Sequence, residues 1–345
     1  MHDEVMHNDV LDLRSLAVPV IAAPMAGGPS TPELAAAATN AGGLGFLAAG
    51  YLTAETLAER IAAARALTSG PLGVNLFVPQ ASVAAHDAIH RYAATLEDEA
   101  SRYHAKLGEP RYDDDHWAAK LEVVMDLRPD VVSFTFGLPD AEQCSRLRAL
   151  GIATVATVTT LAEGEAAVAR GVDVLAAQGP NAGGHRGTLD AVATPPTQPL
   201  DQLLRATTIR LGVPVIAAGG LMTAVDVADV LAYGAVAAQL GTAFLLADEA
   251  GSSPVHRAAL QDPQFSETAV TRCFSGRYAR GLRNRFIDEH DAAAPFGYPE
   301  IHYLTSPLRA AAVRAGDPHG VNVWAGTGFR KAKAAPVADI IASVA

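Results

Sequence analysis

The densest chemistry in the chain lies in Gln178-Gly-Pro-Asn-Ala-Gly-Gly-His-Arg-Gly-Thr188. So many glycines around one His and one Arg make a poor packing element and a good ligand clamp. His185 is the best general base there, because an imidazole titrates near ~6.5 and is largely neutral at physiological pH without tuning. A histidine that only caps the loop is the alternative. Asn75 and Gln178 are neutral amides that both donate and accept hydrogen bonds. They suit a heteroaromatic ring with alternating N–H and C=O edges, or else serve as satisfied structural amides.

Two further groups invite an anion. Gly219-Gly220 lets a backbone approach a phosphate closely, and Gln239-Leu240-Gly241-Thr242 adds a hydroxyl beside free N–H groups. No P-loop pattern is present, and a tight turn is the plain alternative for the paired glycines. Weaker groups read as structure. His86 and His90 share a helical spacing but lack the glutamate of a zinc-binding HExxH. Asp113 to Asp115 read as a charged surface turn, and Cys144 and Cys273 as small half-buried fillers. Arg277, Arg280, Arg283 and Arg285 form a basic cluster that either contacts an anion as a lid or pairs with nearby acids.

The strongest of these residues sit where apolar runs end. Residues 18–25 read as a buried strand closed by Pro24, Gly27 and Gly28. A helix follows, with Thr31 as cap, Pro32 at its first position and Glu33 in its first turn. The alternation recurs through strands at 44–50, 72–78, 131–137, 153–158, 174–179, 214–220 and 237–245, with helices between. Eight apolar strands alternating with helices predict an α/β fold of the (β/α)8 TIM-barrel type, in which all strand ends meet at one rim. An open doubly wound sheet is the runner-up.

A barrel uses roughly 250 residues, so residues 1–246 are assigned to it and residues 247–345 to a C-terminal extension packing over its mouth as a lid. Residues 80–118 are too long for an ordinary loop, and are predicted to be a helical insertion after the third strand.

The chain has 37 acidic and 26 basic side chains, a net charge of -11. Such a surface repels phosphate backbones and anionic membranes, so nucleic acid and membrane are not expected partners. No apolar run approaches the roughly 18 residues of a membrane span, and the acidic, polar start at residues 1–9 is unlike a signal peptide. With two cysteines a disulfide scaffold and a multi-cysteine zinc site are excluded, and a cytoplasmic location is expected.

From about residue 18 to residue 330 the chain resembles the nitronate monooxygenases, and specifically their first class. The likeness rests on APMAGGPSTPELAAAATNAGGLG, FTFGLP, AGGHRG, and the AAGG and QLGTAFL pair. The resemblance implies FMN as cofactor, with contacts falling on Met25, Asn75, Gln178, Gly183, Gly220 and Gln239 to Thr242, and a catalytic histidine at His185. It implies oxidation of an alkyl nitronate such as propionate 3-nitronate with O2 to a carbonyl compound and nitrite, and it leaves a homodimer open. Many family members carry Gln-Gly-X-Glu-Ala before the two glycines where this chain has Pro180-Asn181-Ala182, which removes a negative charge near the pocket. Flavin-dependent NAD(P)H:quinone and enoyl-ACP reductases share most of these motifs, although FTFGLP argues against them. A flavin-free barrel acting on a phosphorylated metabolite needs only the phosphate site.

Overall fold

The computed structural model describes residues 10–345; the polar start at residues 1–9 lies outside the described residues. Along the chain run β1 (Val20–Ala22), β2 (Leu44–Ala48), β3 (Leu72–Phe77), β4 (Val131–Thr135), β5 (Ala153–Val158) and β6 (Val174–Gln178). They are followed by β7 (Gly184–His185), β8 (Val215–Ala218), β9 (Ala237–Leu240), β10 (Thr268–Thr271) and β11 (Ala279–Leu282).

Eight strands, β1 to β6 with β8 and β9, close into a parallel barrel. Closure is made by β1 pairing with β9, with Ala22 opposite Leu240, which excludes the open sheet. The strands are short and almost wholly buried because both faces are covered. Ile21, Phe46, Val155 and Ile216 fill the barrel interior, and Leu13 from a preceding 3-10 turn joins them. A second apolar layer, with Val20, Ala177, Val215 and Leu240, packs outward against helices.

Local sequence fixes where those helices start. The Thr31 hydroxyl accepts the N–H of Leu34, with Pro32 at the first helical position. Complete capping boxes open three later helices: Asp140 with Gln143, Thr160 with Glu163, and Thr223 with Asp226.

The insertion after β3 forms helices His86–Thr95 and Glu97–Arg102, which do not stand alone. Their Ile89, Tyr92 and Leu96 pack with Phe274, Phe286, Ile301 and Leu308 of the C-terminal extension in one shared core. The extension in turn reaches back to the barrel rim, where β11 pairs antiparallel with both β10 and β7, so that Ala279 lies opposite His185. The end of the chain departs from the expected lid. Helix Val337–Val344 buries Val337, Ile340, Ile341 and Val344 in the outer barrel layer, against the helices Pro32–Asn40 and Ala224–Ala232. It occupies the place of the eighth barrel helix, so the extension is an excursion between β9 and that helix.

Two charged groups also differ from their sequence reading. Asp115 is not part of a surface turn: its carboxylate lies 2.8 Å from the ammonium of Lys120, which is 1% exposed, and it accepts the backbone N–H of Tyr51 at 2.8 Å. The arginine cluster splits. Arg283 pairs at the surface with Glu267 and Asp288, and Arg285 pairs with the buried Glu99. Arg277 turns inward to Gln80 and Thr188, and Arg280 donates to the carbonyl of Pro180.

Candidate active site

A cavity of about 400 Å³ opens at the carboxyl rim of the barrel, within the usual size for a cofactor or small-ligand pocket. Met25, Asn75, Gln178, Gly183, His185, Gly219, Gly220, Gln239, Gly241 and Thr242 all line it. Leu240 does not: its side chain is 1% exposed and packs in the outer apolar layer, so only its backbone belongs to the rim. The loop of His185 and the paired glycines therefore face one space, although they are far apart in the chain.

One end of the cavity is a backbone cradle. Gly219 and Gly220 adopt φ of +109° and +83°, conformations that a side chain rarely takes, and a Cβ on Gly220 would stand 2.6 Å from that of Asn181. Gly241 caps the short 3-10 turn Thr242–Phe244, whose first N–H groups have no partner within the turn. The Thr242 hydroxyl accepts the N–H of Gly326 at 2.9 Å, which leaves its own hydrogen to donate. Gly326 comes from the C-terminal WAGTG, which runs so close to Gly183 that a Cβ there would collide with the Gly326 nitrogen. Such a cradle fits a phosphate.

The other end is planar and polar. Asn75 Oδ1 accepts the hydroxyls of Ser133 at 2.7 Å and Thr135 at 3.0 Å, which leaves the Nδ2 hydrogens without a protein partner among the described residues. Gln178 braces the histidine loop, donating to the carbonyl of His185 at 3.2 Å and accepting the N–H of Gly187 at 2.9 Å. Each amide keeps at least one hydrogen to donate to a ring edge.

His185 sits in an aromatic surround, with the rings of Phe136, Tyr298 and Trp324 each 5.6 Å away. Its Nε2 lies 2.8 Å from Ser275 Oγ. Burial, followed by the fields of Arg277 and Arg309, pushes its pKa down to about 3, so the ring is neutral at pH 7. Phe136, in FTFGLP, is held at φ +76° with Arg277 stacked 4.2 Å over its ring. Strain of this kind in a non-glycine residue persists where the surroundings fix it, here between a guanidinium and the imidazole that lines the cavity.

The charge balance of the cavity is one-sided: among the described residues no Asp or Glu lines it, whereas Arg309 does. Arg186 and Arg277 lie beside it, 1% and 2% exposed. All three guanidiniums bond only to neutral groups among the described residues, Arg186 to the Gly179 carbonyl and Arg309 to Thr305, Ser306, His302 and Asn322. Burial pushes the pKa of Arg309 down to about 10, which still leaves it charged at neutral pH. Enclosed cations without protein counter-ions make this a site for anionic ligands.

Several lining residues escaped the sequence. Tyr51 stands three residues past the end of β2, within reach of the strand-end rule; it is held at φ +70°. Ser275, His302, Arg309, Asn322 and Trp324 come from the extension, where no strand end points to them. His302 and Arg309 are two helical turns apart on Glu300–Arg314, a spacing that places them on one face without saying what the face meets.

The profile of the family described as nitronate monooxygenase matches residues 10–345. A probable nitronate monooxygenase from Staphylococcus aureus (strain Newman) is 34% identical over 351 residues, spanning 98% of this chain and 96% of the relative. The solved nitroalkane oxidase from Streptomyces ansochromogenes superposes with a TM-score of 0.92 at 47% identity, covering 95% of each chain. A mutant of FabK from Thermotoga maritima is more distant, at a TM-score of 0.72 and 25% identity over 96% of this chain and 92% of its own.

Proposed function

We propose that this chain, which belongs to the nitronate monooxygenase family, is an FMN-dependent oxidoreductase converting a nitronate, the anion of a nitroalkane, and O2 to a carbonyl compound and nitrite. The observation that carries this reading is the one-sided charge of the cavity: a glycine cradle at one end, Arg309 without a carboxylate partner among the described residues, and a neutral His185.

The residues fit FMN. Gly219, Gly220, Gly241, Thr242 and the backbone at Gln239 and Leu240 would hold the phosphate, and Met25, Asn75, Gln178 and Gly183 the ring. When bound, the flavin supplies the redox chemistry. The chain supplies position and charge. Arg309 attracts the substrate anion, and Tyr51, Phe136 and Trp324 limit access of water to the reacting carbon. An imidazole whose conjugate acid ionises near 3 is a weak base, so it is ill suited to strip the C–H proton of a neutral nitroalkane. A nitronate arrives already deprotonated. Its charge also offsets the fields of Arg277 and Arg309, so His185 in the complex can hold a proton toward it.

The test is direct. The purified protein should show the absorbance peaks of bound flavin and should release nitrite from propionate 3-nitronate without consuming NADH. Rapid NADH oxidation with a quinone or an enoyl thioester would replace this reading by the reductase one. Among the described residues no helix is long and apolar enough to cross a membrane.

A further inference from the structure

Arg309 is enclosed by the fold, yet its hydrogen bonds compensate it only with neutral partners. Its Nε donates to Thr305 Oγ1 at 3.0 Å, Nη1 to Asn322 Oδ1 at 3.0 Å, and Nη2 to Ser306 Oγ at 2.8 Å and the His302 carbonyl at 3.0 Å. Nη2 also stands 3.3 Å from His302 Nδ1. Nη2 already gives its two hydrogens to Ser306 and the His302 carbonyl, and a guanidinium has only donors, so an Nδ1–H would point hydrogen against hydrogen there; the contact favours Nδ1 as the bare nitrogen and the proton on Nε2. Nε2 has no protein partner among the described residues, and His302 lines the cavity.

The plane of this second imidazole is also fixed. It stacks on Tyr51 at 4.2 Å with 2° between the planes, and the Tyr51 hydroxyl is hydrogen-bonded by Tyr298 at 3.2 Å. The Tyr298 ring lies 5.6 Å from His185 and 6.4 Å from His302, so the two imidazoles flank one tyrosine. They differ in what each can still offer a ligand. His185 is tied through Nε2 to Ser275 Oγ at 2.8 Å, a hydroxyl that also reaches the Arg277 carbonyl at 3.2 Å, so its Nε2 is already engaged by the protein whereas that of His302 is not. A lone pair repels an oxyanion; an N–H attracts it.

We propose that His302, held as the Nε2–H tautomer by Arg309, is the hydrogen-bond donor that receives the oxyanion of the substrate, leaving His185 to face the reacting carbon. This rests on the nitronate reading. His302 stays neutral in that role, since burial, Arg309 and His185 all lower its pKa. The positive charge stays on Arg309, and the imidazole passes its polarisation toward the ligand.

Two measurements on the flavin-loaded protein decide it. In 15N-histidine-labelled enzyme at neutral pH, the resonances lost in His302→Gln should show the pattern of a ring protonated on Nε2 alone. A ring protonated on Nδ1, or on both nitrogens, overturns the proposal whatever the kinetics of the variants. In steady-state assays with propionate 3-nitronate, His302→Phe should raise KM by about tenfold to a hundredfold, the range for a lost hydrogen bond to a charged group. His302→Gln, whose amide N–H can stand near the Nε2 position, should recover most of that loss. A wild-type enzyme that forms nitrite while His302→Phe keeps its KM sinks the proposal and leaves the function standing. A flavin-loaded wild type that releases no nitrite from any nitronate sinks the function, and the proposal with it.

Discussion

The hydroxyl of Ser275 lies 2.8 Å from Nε2 of His185 and donates its own hydrogen to the Arg277 carbonyl. One serine of the C-terminal extension thereby holds the ring of the barrel's histidine through one of its two nitrogens. Ser275→Ala should keep its flavin and lose about tenfold in turnover, the scale of one hydrogen bond to a reacting group. Flavin content and kcat measured on the same preparation check this, and an unchanged kcat would remove the serine from that role.

His185 is the group through which turnover should run. His185→Asn should retain flavin and lower turnover by roughly 10²- to 10⁴-fold. A loss of tenfold or less, measured with pre-formed nitronate, would mean that the imidazole is structural.

Acid should weaken the fold through the buried imidazoles. Burial above all pushes His185 down to about 3 and His256 to about 4, and it lowers His302 well below its ordinary value. Unfolded, each titrates near ~6.5, so between these values the unfolded chain binds protons that the folded one refuses. Stability is therefore full above about pH 7 and falls as pH drops from about 6.5 toward 4, by at most roughly 1.4 kcal/mol per pH unit for each ring. Urea midpoints at several pH values measure it, and His256→Gln should make the slope shallower. A midpoint flat across this window would contradict the burial of these rings.

Gly220 tests the cradle. With φ of +83° and Asn181 2.6 Å from an added Cβ, Gly220→Ala must distort the turn, at a cost of about 1 kcal/mol or more. Flavin affinity should fall severalfold, read as flavin per chain after dialysis. Full occupancy there would place the phosphate elsewhere.

The Asp115–Lys120 pair should matter to stability and to Tyr51 together. Asp115→Asn leaves a buried ammonium without its counter-charge, and one-sided removal of a buried pair costs about 3 kcal/mol, less here because Asp115 is partly exposed. It also weakens the anchor of Tyr51. The melting temperature should drop, and replacing Lys120 by Met in the same chain should restore part of it. Unaltered melting in Asp115→Asn would make the pair ornamental.

Much of this architecture is legible in the sequence because local and global signals agree. Caps such as Thr31, Asp140 and Thr160 open helices after apolar strands, and the rule that strand ends converge brings Asn75, Gln178, Gly220 and Thr242 to one rim. Tyr51 and Phe136 follow strands too, but their left-handed backbones are imposed from outside by Asp115 and Arg277, which no local preference announces. The arginines read as one cluster because they are close in sequence. They separate because only Arg280 lies on strand β11, while Arg277 precedes it in a buried turn, Arg283 follows it and Arg285 opens the next helix. His302 and Arg309 act in the cavity only through the tertiary path of the extension, and nothing in their spacing encodes that path.

The helix Val337–Val344 has a consequence for biosynthesis. On the ribosome, β9 emerges roughly 5 to 20 s before that helix, at synthesis rates of about 5 to 20 residues per second. Through that interval the apolar side chains it covers between the helices Pro32–Asn40 and Ala224–Ala232 stay wet. The nascent chain thus carries an open seam until that helix arrives, and a ribosome stalled short of residue 337 holds a sticky intermediate that chaperones would be expected to grasp.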